Sequence, residues 1–67
     1  MGNFEVLRVT LPEVREVIGS GLPRGLFLSR AGGRWVAVDN STGHAWTEGF
    51  RWKYRAVRWL RGNGEVP

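Results

Sequence analysis

Arg51, Arg55, Arg58 and Arg61 recur at spacings of four, three and three residues, with Tyr54 among them. On a helix these positions share one face, which sets four guanidinium groups in a stripe beside a phenol ring. A guanidinium presents a planar fork that fits phosphate and carboxylate, and it stacks on aromatic rings. A merely solvated face would be better served by mixed signs, because like charges at these spacings repel; only Glu48 and Glu65 stand near in sequence. The chemistry that this pattern suits is anion binding.

A second group of candidates is aromatic. Phe27, Trp35 and Trp46 fall in three short β-prone segments, where one sheet face would gather them as a platform for stacking bases or as an interface. The competing reading is burial of that face by the N-terminal segment, by a helix or by a second copy of the chain. Arg30 and Arg34 flank the first hairpin of the same segments and add cations at the sheet edge.

Signals for catalysis are sparse. His44 is the single histidine and there is no cysteine, so no thiolate nucleophile and no cluster of metal ligands is expected. Asp39 and His44 could face each other across a turn, but a solvated cross-strand pair is the commoner outcome, and Ser41 completes no triad. Gly19-x-Gly21-x-x-x-Gly25 has the look of a phosphate loop. It follows a helix and precedes a strand, the reverse of what phosphate cradling by a helix N-terminus requires. A connector is the simpler reading, and neither catalytic residue, metal nor cofactor is expected.

The elements that must position these residues follow from length and pattern. The 67 residues make one domain, with 62–67 expected as a flexible tail. A chain of that size buries only about 60% of its unfolded surface. Phe4 to Val9 is β-prone. Thr10-Leu11-Pro12-Glu13 reads as a capping box, Leu11, Val14, Val17 and Ile18 repeat at helical spacing, and Gly19 is the expected stop of a helix over 11–18. Strands are expected over 26–30, 34–39 and 44–48, joined by Ala31-Gly32-Gly33 and Asn40-Ser41-Thr42-Gly43.

Loops of three and four residues would set 28 opposite 36 and 37 opposite 46. One face then holds Leu26, Leu28, Val36, Val38 and Ala45, and the other Phe27, Ser29, Trp35, Ala37, Asp39, His44, Trp46 and Glu48. Residues 51–61 form the last helix, with Trp52, Ala56, Trp59 and Leu60 toward the sheet. The expected fold is α+β, in the order β-α-β-β-β-α, a three-stranded antiparallel meander packed by a C-terminal helix.

The charge is placed unevenly. Of a net +4, residues 51–61 carry +5, while 1–23 sum to −1, 24–50 to +1 and 62–67 to −1. A basic patch of this kind attracts nucleic acid, nucleotides or an acidic protein surface. Neither a secretory signal nor a membrane-length apolar run is legible, which makes a cytoplasmic protein the expectation.

Three resemblances add to this reading. Gly33-Arg34-Trp35-Val36-Ala37, Ala45-Trp46-Thr47-Glu48-Gly49-Phe50 and Ala56 resemble the three-stranded-sheet-plus-helix DNA-binding domains of the plant ethylene-response and phage-integrase arm-binding types. That resemblance covers about half the chain. It implies a sheet entering the major groove, with Arg30, Arg34 and Trp46 as contacts. The helix–three strands–helix order, with Arg51, Lys53 and Arg55 opening the last helix, is similar to a compact double-stranded-RNA-binding domain. Asp39 to Gly43, Trp46 to Glu48 and Ala56 to Leu60 resemble short uncharacterised proteins of phages and mobile elements, which implies a host-interaction or counter-defence setting.

Two functions are therefore expected in competition. One is a non-enzymatic nucleic-acid-binding module. The other is a phage-type protein that blocks an acidic host protein or captures a nucleotide, as a homodimer or larger homo-oligomer and without a membrane.

Overall fold

The computed structural model describes residues 5–62, and these form a small α+β domain. The order is β1 (Val6–Arg8), α1 (Leu11–Ser20), β2 (Gly25–Ala31), β3 (Arg34–Asn40), β4 (Trp46–Phe50) and α2 (Lys53–Gly62). The four strands make one sheet in the order β1-β2-β3-β4. β1 runs parallel to β2, with α1 as the crossover, and the remaining pairs are antiparallel. The meander expected from the sequence is present, but it is extended by β1 into a mixed sheet. Gly62 closes α2, and the rest of the expected tail, 63–67, lies outside the described residues.

The two central strands, β2 and β3, are covered on both faces. Leu26, Leu28 and Ala37 pack with Ala56 and Leu60 of α2, with Val6, Trp35, Phe50, Val57 and Trp59 at the margin. Phe27 and Val38 pack with Val14 and Val17 of α1 on the other face. This corrects the expected register by one residue. Gly32 and Gly33 alone form the first turn, Gly32 at φ 62, so that Ala31 pairs with Arg34 and Leu28 with Ala37. A glycine with positive φ at the first central position permits so tight a turn. A slip of one residue exchanges the faces: Leu26 and Leu28 lie with Trp35 and Ala37, whereas Phe27 lies with Val36 and Val38.

The second hairpin is displaced by two residues, with Ala37 opposite Glu48 and Asp39 opposite Trp46, which leaves the faces of β3 and β4 as expected. Its strand is Trp46–Phe50 rather than 44–48: β3 runs on through Asn40, Asp39 accepts hydrogen bonds from the backbone N–H (3.0 Å) and hydroxyl (2.7 Å) of Ser41 where the chain leaves the strand, and residues 41–45 form the connection. His44 is exposed, and its backbone N–H donates to the Thr42 hydroxyl at 3.5 Å.

The capping box is as the sequence implies. The Thr10 hydroxyl accepts from the Glu13 N–H (3.4 Å), and the Thr10 N–H donates to the Glu13 carboxylate (2.8 Å). The helix runs past Gly19, however, and ends at Ser20. Gly21, at φ 74, donates its N–H to the Val17 carbonyl at 2.7 Å and is the left-handed cap. The connector after it is pinned rather than loose. Buried Asn40 donates to the Gly21 carbonyl (2.9 Å) and the Pro23 carbonyl (2.8 Å). No helix among the described residues is long and apolar enough to cross a membrane.

These caps generate two predictions. A Cβ at Gly19 meets nothing within 4 Å, whereas one at Gly21 stands 3.0 Å from the Gly43 carbonyl oxygen in a left-handed backbone. Gly19→Ala should therefore raise stability by about 0.5–1 kcal/mol. Gly21→Ala should lower it by about 1–2 kcal/mol. Thermal melts of the two variants move in opposite directions.

The second prediction concerns Glu13, whose pKa is lowered from 4.5 by the backbone hydrogen bond from Thr10 and then by its hydroxyl, against a small opposing effect of burial. A carboxyl group with a depressed folded pKa stabilises the fold above its unfolded pKa and loses that contribution as pH falls through the folded one. Urea midpoints measured from pH 6 downward should thus fall more steeply below about pH 4.5 in the parent than in Glu13→Gln.

Candidate functional site

The outward face of α2 follows from what its inward face buries. Ala56 and Leu60 are the buried positions, Val57 and Trp59 flank them half-buried, and Trp59 packs against Phe50 with ring centres 5.9 Å apart. Stepping 100° per residue from that buried line turns Tyr54, Arg55, Arg58 and Arg61 to solvent, and all four are exposed. Arg51 lies just before the helix rather than in it, also exposed, with its guanidinium 5.9 Å from the Trp52 ring. Trp52, expected to face the sheet, is 55% exposed instead. The helix begins at Lys53, so Trp52 lies outside its regular geometry; its carbonyl accepts from the N–H groups of Arg55 and Ala56.

Within the stripe the arginines find little to neutralise them. The Arg55 Nε–H donates to the Tyr54 hydroxyl at 3.4 Å, and its guanidinium lies 5.9 Å from that ring. No acidic residue occurs in α2, and Lys53 occupies the first turn, where the helix dipole disfavours a cation. Among the described residues no carboxylate makes an ion pair with Arg51, Arg55, Arg58 or Arg61. Tyr54 and Arg58 stand between two shallow grooves. One, of about 820 Å³, is lined by Lys53, Tyr54, Val57, Arg58, Arg61 and Gly62. The other, of about 390 Å³, is lined by Phe50, Tyr54, Arg55, Arg58 and Trp59.

The aromatic platform is not assembled as expected. Phe27 is buried between the sheet and α1, on the opposite side from Trp35 and Trp46, because of the one-residue register change. Trp46 stays open at 65% exposure, while Trp35 is half-buried at the margin of the α2 core. Arg30 and Arg34 are separated as well. Arg30 sits opposite Trp35 with its guanidinium 5.3 Å from the ring centre, whereas the Arg34 guanidinium lies over Gly49, on the face of Val36.

Arg8, which the sequence did not single out, and Lys53 complete the surroundings of Trp35. The Arg8 guanidinium is 4.8 Å and the Lys53 ammonium 5.6 Å from the ring centre. Lys53 was legible as part of the basic run. Arg8 was not, because its place depends on the parallel pairing of β1 with β2, which aligns it with Leu28. No three of His, Cys, Asp and Glu come together among the described residues in a group able to hold a metal ion. No protein-family model, curated protein or solved structure matches this chain.

Proposed function

We propose that this protein is a non-enzymatic module that binds nucleic acid through the outward face of α2. One observation carries the reading: Arg55, Arg58, Arg61 and Tyr54 share an exposed helix face, Arg51 extends it, and no carboxylate ion-pairs with any of them among the described residues. Such an arrangement keeps its like charges at a cost in repulsion, and an anionic polymer that spans several phosphates relieves that repulsion at once. The phenol of Tyr54 adds a flat surface for a base or sugar between the cations. The reading places the protein in the cytoplasm, in reach of nucleic acid.

A second reading has its own support. Trp46 and Trp52 are 65% and 55% exposed, more apolar ring than a small domain needs at its surface, and they favour a protein partner or a second copy of the chain. It corresponds to the host-interaction and counter-defence setting of the phage-type proteins that the sequence resembles.

One experiment separates the two. Arg55→Glu/Arg58→Glu changes exposed residues only, so the far-ultraviolet circular dichroism and melting temperature should stay near those of the parent. Binding to short labelled oligonucleotides should fall by at least about a hundredfold, since each reversal removes one phosphate contact and adds a repulsion. Unchanged affinity in this variant rejects the α2 reading. Sedimentation of the parent at micromolar concentration should give the mass of one chain, and a stable dimer would favour the second reading instead.

A further inference from the structure

We propose that Arg8, Arg30 and Lys53 form a phosphate-binding subsite around Trp35, and that it takes the backbone of a single-stranded nucleic acid entering from the groove beside α2. The proposal rests on the reading of α2 as a nucleic-acid-binding face and extends its footprint onto the sheet.

Three elements far apart in sequence, β1, β2 and the start of α2, each contribute one cation, and all three charges lie within 5.6 Å of one ring centre. Solubility would be served by dispersing them. An indole attracts a cation over its face, but it has two faces and no net charge, so three cations leave the cluster strongly positive. Among the described residues no carboxylate makes an ion pair with any of the three. The ring, half-buried against the α2 core, holds the two guanidinium groups in place before any ligand arrives, which lowers the entropy lost on binding. Two guanidinium forks and an ammonium match the several acceptor oxygens of a phosphate.

The fold leaves this place open. α2 packs mainly over β3 and β4, so the β1 side of that sheet face is left to the exposed side chains of Arg8 and Arg30. Lys53 belongs both to this cluster and to the groove of about 820 Å³ that runs along α2 past Tyr54, Val57 and Arg58. A strand can therefore keep a phosphate at Trp35 and lay its next base on the Tyr54 and Val57 side of the groove. Stacking of that kind needs an unpaired base with its π-face free, which a duplex does not offer.

The test uses the full chain and a short fluorescent oligothymidylate. Arg8→Gln/Arg30→Gln should melt like the parent and bind the oligonucleotide about tenfold more weakly. In the parent, the Trp35 indole N–H resonance, assigned with Trp35→Phe, should move when the strand is added. Unchanged affinity in Arg8→Gln/Arg30→Gln, or a Trp35 resonance that stays still, overturns the subsite; if Arg55→Glu/Arg58→Glu still abolishes binding, the α2 reading survives that failure. The opposite pattern, with loss only in Arg8→Gln/Arg30→Gln, rejects the α2 stripe and upholds the subsite. A resonance that responds to inorganic phosphate but not to the strand identifies a free-phosphate site and overturns the assignment. So does equal affinity for a duplex of the same length.

Discussion

Everything in this domain depends on β3 being buried on both faces. Ala37 and Val38 are fully enclosed, and they point to opposite sides, toward α2 and α1 respectively. A central strand of this kind can only exist if a helix covers each face, and the chain has two. The small side chains of Ala37 and Ala56, both fully buried, belong to the cluster where α2 meets the sheet. Replacing either with a larger residue would push the helix away from the strand on which it is seated.

That seating decides the electrostatics. With Ala56 and Leu60 turned inward, Tyr54, Arg55, Arg58 and Arg61 have no direction left but outward. α2 lacks any acidic residue to answer them, and its first turn adds Lys53 to the same side of the molecule as Arg8 and Arg30. The acidic residues of α1, Glu13 and Glu16, belong to the helix on the other face of the sheet. The two helices thus enclose the core and differ in charge: α1 mixes Arg15 with Glu13 and Glu16, whereas every charged residue of α2 is a cation.

Local chemistry was legible in the sequence where it is written in neighbouring residues. The capping box of Thr10 and Glu13, the Gly-rich hairpin and the solvent-facing stripe of α2 each depend on residues within about one turn of one another. Register was not legible, because it rests on whether Ala31 joins the turn or the strand, and both choices satisfy the glycines that follow. A signal was present all the same. Leu26-Phe27-Leu28 and Trp35-Val36-Ala37-Val38 are unbroken apolar runs, the pattern of strands covered on both sides, whereas a meander with one open face would alternate. Reading them so would have placed Phe27 under a helix. The cluster at Trp35 lay further out of reach, since it needs the parallel pairing of a three-residue strand to bring Arg8 beside it.

A cationic helix face, a ring of cations around an indole and a groove that joins them make a continuous surface suited to a strand of phosphates. Counterion release is the physical signature of such a surface, and it sets the most direct test of the central claim. Oligonucleotide affinity of the parent protein should be measured by fluorescence anisotropy across a series of salt concentrations. Four or five phosphate contacts to a single strand predict a slope of log K against log salt of about −2.8 to −3.5. A slope near zero, or no binding at low salt, would contradict it.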